Sequence, residues 1–351
     1  MTPRYSAASL LRFSADLLQR AGLDVEKSAA VAEILVEADL LGHTTHGLQL
    51  LAPYLDEIEG GRMAKCGSPR VVADFPAAAT WDGQRLPGPW LTLQAISLAT
   101  KRAKINGTCT VVIRRSHHIA CLAAYLKRVA DQNLMAILTC SDPWLRTVAP
   151  HGGRSRIYTP NPIAAAWPTE GDPVILDVSL SITSNGVVRR LHAEGRKLPG
   201  LWLIDHDGDP SDDPSVAFAQ SPGALLPIGG LDHGHKGYAL GLLAETLTGG
   251  LAGHGRADPE EGWSANVYLQ VLDPALYGGA ENFVRQTEWL AAACRGVPPR
   301  PGFDRVRLPG ELALRRRAAQ LQSGVKLHPA IIPALKPWAE KFSIVVPGSL
   351  S

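Results

Sequence analysis

The chain contains no CxxC pair. Its five cysteines, Cys66, Cys109, Cys121, Cys140 and Cys294, form an odd and scattered set. That argues against a disulfide framework and suits free, mostly buried thiols in a reducing compartment. No apolar run approaches the roughly 18 residues that a membrane span needs. The opening stretch MTPRYSAASLLRF has neither an apolar signal core nor a cleavage site. The expectation is a soluble, cytoplasmic protein with no membrane partner. An excess of one charge is also missing: the formal net charge is +2, and Lys and Arg are spread along the chain. This excludes the concentrated basic face of a nucleic-acid binder, and the short run LRRRAAQL fits the solvated side of a helix. Absent too are GxGxxG, GxxxxGK[ST], GxSxG, HExxH, and HxE with a later PCxxC. A standard dinucleotide fingerprint, a P-loop, a hydrolase elbow, a zincin and a zinc deaminase are thereby set aside.

What is present is ample material for a core. The 351 residues are 45% hydrophobic and 19% charged, enough for two domains or one large domain with an appendage. Residues 7 to about 60 read as three helices, the second starting on an Asp24 cap and the third near Thr45. After residue 70, short β-rich runs such as RVVADF, TCTVVIRRS, LMAILTCS, PVILDVSLS and NVYLQVLD alternate with helical patterns. Helices return past residue 309. The expected organisation is an N-terminal helical segment (1–70), a three-layer α/β/α domain with a largely β-rich mixed sheet (71–285), and a C-terminal helical segment (286–351). The terminal segments should pack together, because each carries one apolar stripe too small to form a core alone.

Several stretches invite a site. In EADLLGHTTHGLQLLAPYLDEIEGGRM (37–63), His43 and His46 stand where a helix seems to start, and Leu48, Leu51, Leu55 and Ile58 form its stripe. The residues alone leave two readings open: a Thr-capped helix with ordinary surface histidines, or a helix start that faces a bound anion. In IRRSHHIACLAAYL, His117 and His118 follow a strand and precede an amphipathic pattern. A histidine in such a turn suits proton transfer near neutral pH, and a capping or surface role fits equally well. PHGGRSRIYTPNPIAAAWP and GGLDHGHKGYALGLLAE read as loops that approach a ligand, with Lys236 at a helix start, or as plain loops. His233 and His235 form an HxH pair without a carboxylate or cysteine at ligand spacing, so no metal is expected.

Taken in order, ADLLGHTTHG, RRSHHIA, SDPWLRTVAPHGGR, NPIAAAWP, ILDVSLS, DHDGDPSDDP, LLPIGG…KGYAL and LPGE resemble the type-2 malate/L-lactate dehydrogenase family over roughly residues 5 to 345. The resemblance implies a non-Rossmann α/β fold, an NAD or NADP cofactor, a small-molecule substrate and a homodimer. It implies that His118 is the acid/base histidine and that Thr45-His46 matches the family's Ser-His pair, which leaves His43 incidental. By the same likeness, Ser141, Asp177-Val178-Ser179, Lys236 and Pro309-Gly310-Glu311 match cofactor-contacting positions, and Asn161 matches the Asn-Pro of a substrate-binding loop.

The departures are specific. The family arginine expected to hold a substrate carboxylate falls on Leu50, four residues after His46. Pro160, Leu180, Val187, Ile119 and Ala120 also replace the usual residues. Losing a buried guanidinium removes on the order of 2–5 kcal/mol of charge-assisted binding, whereas hydride transfer needs only a cofactor, a polarised C=O or C=N, and a proton source. The reading is an NAD(P)H-dependent oxidoreductase with an altered substrate pocket, Leu50 and His46 facing one spot on it. The alternatives are an enzyme whose 2-oxo acid or cyclic imino acid carboxylate is held by another residue, and a cofactor-binding homologue that has lost catalysis.

Overall fold

The structure, a computed structural model, describes residues 3–350; residues 1, 2 and 351 of the expected terminal segments lie outside it. Its centre is a seven-stranded mixed sheet built from β1 (Arg70–Phe75), β2 (Ala78–Asp82), β3 (Thr108–Ser116), β4 (Met135–Ser141), β5 (Ile163–Trp167), β6 (Val174–Val178) and β7 (Ala265–Leu272). The spatial order is β1-β2-β3-β7-β4-β5-β6. Only β2 and β3 run parallel; the late strand β7 inserts antiparallel between β3 and β4. A sheet of this kind has no doubly wound crevice, which accounts for the missing glycine fingerprint.

Side-chain alternation along the central strands assigns the two faces. Val111, Ile113 and Leu269 enter the main core together with Leu91, Ala95 and Ala99 of helix α4 (Gly88–Asn106). Val112 and Tyr268 point the other way and pack with Leu247 and Ala252, just beyond the helix Gly230–Glu245. Helices therefore cover both faces.

The terminal helices are part of the same core. Helices α1 (Ala7–Arg20) and α2 (Val25–Leu41) are capped by Ser6 and Asp24. Helix α2 packs on α1, on α4 and on the late helix Glu311–Ser323. Strand pairing of Arg4–Tyr5 with Val325–Lys326 brings the two ends together. Leu10, Leu17, Ile34 and Leu35 are fully buried in a cluster that runs on to Val111 and Leu269. Each such side chain contributes roughly 1.5–3 kcal/mol. The helix Ala280–Gly296 spans the expected boundary at residue 285. A small satellite of Val148, Tyr158, Val188, Leu198, Leu203 and Leu225 supports a separate three-stranded sheet and the helix α5 (Asn185–Ala193).

Two local expectations are corrected. The third helix, Leu51–Glu59, does not begin at Thr45; Thr44–Gly47 is a turn followed by a 3-10 stretch, Leu48–Leu50. The buried carboxylate of Asp39 accepts the Leu48 N–H at 2.7 Å and stands where a Cβ on Gly47 would go, so the chain is held in the turn. The segment after His118 is not one amphipathic helix but an extended stretch, a 3-10 turn at Leu122–Tyr125 and one helical turn at Lys127–Ala130. Residues Ile119 to Leu126 are all buried, leaving no solvated face, and the Ala123 N–H and Ile119 carbonyl find partners in Asp177 and Tyr125 instead.

Candidate active site

A cavity of about 270 Å³ opens where the turn after α2, the segment after β3, the ends of β4 and β6, and the start of α5 converge. Thr45, His46 and His118 line it, and so do Ser141, Asn161, Asp177 and Ser179. These residues are up to 134 positions apart in sequence, Thr45 to Ser179. Strand ends bring them together.

His118 sits against Tyr54, whose phenolic oxygen lies 2.7 Å from Nδ1 and donates to the His118 carbonyl at 3.2 Å. The Ala120 N–H also approaches Nδ1, at 3.3 Å; the two Tyr54 contacts, one of them the shorter, are both satisfied when Nδ1 carries the proton and donates it to Tyr54. That tautomer leaves the Nε2 lone pair, which has no protein partner among the described residues, for the cavity. The Trp263 ring packs on His118 at 4.8 Å between centroids, and the His46 ring stacks at 6.0 Å with a tilt of 27°. Burial, helped by the neighbouring His46 and His117, holds His118 well below the usual imidazole range, in its neutral form. His46 is held by Thr45, whose hydroxyl is 2.9 Å from Nδ1. Burial also lowers its pKa, against the opposing pull of Asp177.

His117 is not at the surface. It is fully buried, edge-on to Tyr54 and Trp263, with Nε2 3.3 Å from Glu57. That hydrogen bond is the main reason the Glu57 carboxyl is held down to about 2, while burial keeps His117 neutral. A neutral ring donating from Nε2 to an ionised carboxylate accounts for both shifts and leaves the buried Nδ1 without a partner among the described residues. His117→Ala is therefore expected to lower stability by about 2–4 kcal/mol, through a cavity and a stranded Glu57. Chemical denaturation measures this, and a loss under about 0.5 kcal/mol, the usual range of surface substitutions, would remove His117 from the support of the site.

The remaining sequence candidates divide. Val178, Pro309 and Gly310 line an adjoining cavity of about 240 Å³ that shares His43 and Asp177 with the first. Gly310 has φ +84°, and a Cβ there would fall 2.7 Å from the Ile175 carbonyl, so the LPGE turn lies flat on β6 only as glycine. Glu311 sits behind that turn, accepting from the Leu308 N–H and bonded to Arg315. Ser141 shares a hydrogen bond with Thr248, and Ser179 one with Ser181. Asn161 lines the cavity, but its amide is engaged by Thr159, Glu245 and the Gly241 carbonyl. Lys236 lies on the exposed side of its helix and lines neither cavity. Leu50 packs against the main core and does not line the cavity either. The helical-face argument that joined it to His46 does not hold, because His46 precedes the helix. His43, read as incidental, lines both cavities. Tyr54, Glu57 and Trp263 were not singled out in sequence. Tyr54 belongs to the apolar stripe of its helix, and nothing in that pattern marks a hydroxyl aimed at a histidine.

Asp39 anchors the turn that presents His46. It is 1% exposed, and burial pushes its carboxyl up from 3.8 to about 7. A folded state that holds this proton more tightly than the unfolded chain loses stability as pH rises from about 4 to 7, by on the order of 2–4 kcal/mol. Asp39→Asn keeps an acceptor for the Leu48 N–H and removes that penalty. The variant should match the parent near pH 3.5, below the unfolded carboxyl's range, and unfold at higher denaturant near pH 8. Equal or lower stability near pH 8 contradicts the assignment.

The malate/L-lactate dehydrogenase family model matches residues 5–336. An L-lactate dehydrogenase from Cupriavidus necator is 33% identical, covering 98% of this chain and 99% of that protein. An L-sulfolactate dehydrogenase from Methanocaldococcus jannaschii is 29% identical, covering 86% and 87%. Among solved structures, malate dehydrogenase from Pyrococcus horikoshii superposes with a TM-score of 0.87 at 28% identity over 97% of this chain and 96% of that one. The delta1-piperideine-2-carboxylate reductase from Pseudomonas syringae does so at 0.84 and 28%, over 96% and 100%. With a family match across almost the whole length, a mixed sheet in place of a doubly wound one and a histidine-lined cavity at its strand ends, the chain belongs to the malate/L-lactate dehydrogenase family and is an oxidoreductase.

Proposed function

We propose that this oxidoreductase uses NAD or NADP and interconverts an alcohol or amine carbon with a C=O or C=N carbon, with His118 moving the proton. The observation that carries the reading is the neutral His118 ring, backed by Tyr54 and presenting Nε2 to the cavity. In oxidation Nε2 takes the proton of the reacting hydroxyl or ammonium, and in reduction it returns one. Tyr54 fixes the ring, His46 with Thr45 orients or relays, and Trp263 excludes water from one face of His118. When bound, a nicotinamide supplies or accepts the hydride. The hydroxyls of Ser141 and Ser179, the Asp177 carboxylate and the main chain of Val178, Pro309 and Gly310 suit its ribose and amide groups, along two cavities that share Asp177.

Lys236 is suited to a phosphate but stands away from both cavities, beside the exposed Leu231, Leu240 and Leu243. Several exposed leucines on one helix suit a contact with a second copy, which supports a homodimer and would cover the face that carries Lys236.

The substrate pocket is altered in charge. Among the described residues no arginine or lysine lines the cavity, whereas Asp142 and Asp177 do, and Arg256, bonded to the Asp142 carbonyl, is neutralised by Glu245. A free substrate carboxylate brought there meets no counter-charge, so a carbonyl or imine compound without one fits best. The names of the hydroxy-acid relatives favour a second reading, in which another residue holds the carboxylate. Arg190 is the cation tied to the active-site turn, through Thr44 and Gln49. Initial rates with both cofactors against 2-oxo acids, cyclic imines and carboxylate-free ketones test the proposal. Tight cofactor binding with no turnover on any class would instead indicate a binding protein without catalysis.

A further inference from the structure

Three side chains at the cavity wall have an arrangement that proton transfer does not use, although one of them, Asp177, is the carboxylate offered above to the cofactor, so ion and nucleotide compete for it. His43 comes from the turn after α2, Cys121 from the segment after β3, and Asp177 from the end of β6. Their ligand atoms all lie within 4.8 Å of one another. The Cys121 Sγ stands 3.6 Å from Asp177 Oδ2. With metal–sulfur and metal–oxygen bonds of about 2.3 and 2.0–2.2 Å, a tetrahedral zinc ion separates its thiolate and carboxylate ligands by roughly 3.6 Å. The pair is already at that spacing. Asp177 Oδ2 also takes the Ala123 N–H, which fixes the carboxylate, and Oδ1 accepts no hydrogen bond from the described residues. The His43 ring likewise makes none, while its backbone is held by the Ala38 carbonyl at 2.8 Å. The three groups sit on three separate elements and are all part-buried or buried.

We infer that His43, Cys121 and Asp177 form a binding site for one zinc-type divalent ion, with a fourth coordination position open to the cavity. Binding breaks the Cys121 S–H bond, forms a sulfur–metal bond and releases one proton to solvent. The thiolate and carboxylate then neutralise the ion. Mixed nitrogen, sulfur and oxygen ligands select zinc or cobalt(II) over magnesium or calcium. Three protein ligands with one open position is the arrangement of a metal that takes an exchangeable fourth ligand. The other candidate cluster, Asp205, His206 and Asp207, differs: its residues are neighbours on a loop, and Asp205 Oδ1 already accepts three backbone N–H groups. The inference does not depend on hydride chemistry, and its test uses no cofactor or substrate.

The experiment is titration of the full chain, stripped with chelator, with Zn²⁺ by calorimetry and with Co²⁺ by absorption. One equivalent of each should bind, and Co²⁺ should give a near-ultraviolet thiolate-to-cobalt charge-transfer band. Cys121→Ser should abolish that band, and His43→Ala should weaken Zn²⁺ by at least about tenfold. Cys140→Ser, which removes the other cysteine lining the cavity, should leave both signals intact. His43 is half-exposed, so its variant keeps the test decisive if the Cys121 variant folds poorly. No stoichiometric uptake by the parent, or a charge-transfer band that survives in Cys121→Ser and disappears in Cys140→Ser, overturns the site.

Discussion

His118→Ala should lower turnover by about 10²–10⁴-fold while leaving nicotinamide-nucleotide affinity nearly unchanged. The expectation follows from which atoms are free. Nδ1 is engaged by Tyr54 and the Ala120 N–H, which leaves Nε2 for the cavity that His118 lines, so the side chain contributes a proton site and little packing toward a nucleotide. The pH profile gives an independent reading. Because burial, His46 and His117 together hold the ring below its usual range, the neutral base persists into mildly acid solution. Oxidation, which starts from the neutral ring, should keep its kcat/KM from about pH 8 down to 6.5. Reduction starts from the protonated ring and should gain up to about tenfold per pH unit as pH falls over that range. A variant that turns over at parental rates, or a reductive rate that rises with pH, removes His118 from the proton path.

The second large effect concerns charge. A substrate acid and its methyl ester or amide should differ by about 10–100-fold in kcat/KM, the uncharged compound being the better substrate. Like charges brought together in a partly dry cleft cost several kcal/mol. Asp142 and Asp177 lie on this one, and Arg256, which reaches the Asp142 carbonyl from behind the lining, is already paired with Glu245. Matched acid and ester pairs of a hydroxy compound, assayed with the same cofactor, measure it. A clear preference for the free acid means that a cation such as Arg190 swings in, and the uncharged-substrate reading falls.

The fold was legible where periodicity was strong. The helices over 7–20 and 25–41, and the strands with Val, Ile and Thr in alternation, formed as read. Strands 78–82 and 163–167 were not read, because AATWD and IAAAW are dominated by alanine, and alanine joins a sheet only when neighbouring strands enclose it. The segment after His118 looked amphipathic, yet its lysine and arginine belong to one short turn and everything before them is buried. At the site, His118, His46, Ser141 and Asp177 could be named because their motifs survive in order. Tyr54 and Trp263 could not, since a buried aromatic in a helix stripe or after a glycine-rich loop carries no mark of what its polar atom meets. Leu50 shows the opposite error. The position was identified by motif, but the direction of its side chain depends on a turn set by Asp39, a contact across nine residues.

The pairing of the chain's two ends has a bearing on biosynthesis. The last carbonyls of α2, those of Asp39 and Leu40, accept hydrogen bonds from Gln320, and Arg317 pairs with Glu37 on the same helix. The ribosome delivers residues 311–323 roughly 270 residues after α2, which at about 5–20 residues per second is on the order of 15–50 s. Throughout that interval one flank of a helix that is apolar on nearly every side remains uncovered, and the turn bearing His46 hangs from its unfinished end. The cavity that holds His46 and His118 therefore matures among the last parts of the molecule, although His46 is among the first residues made.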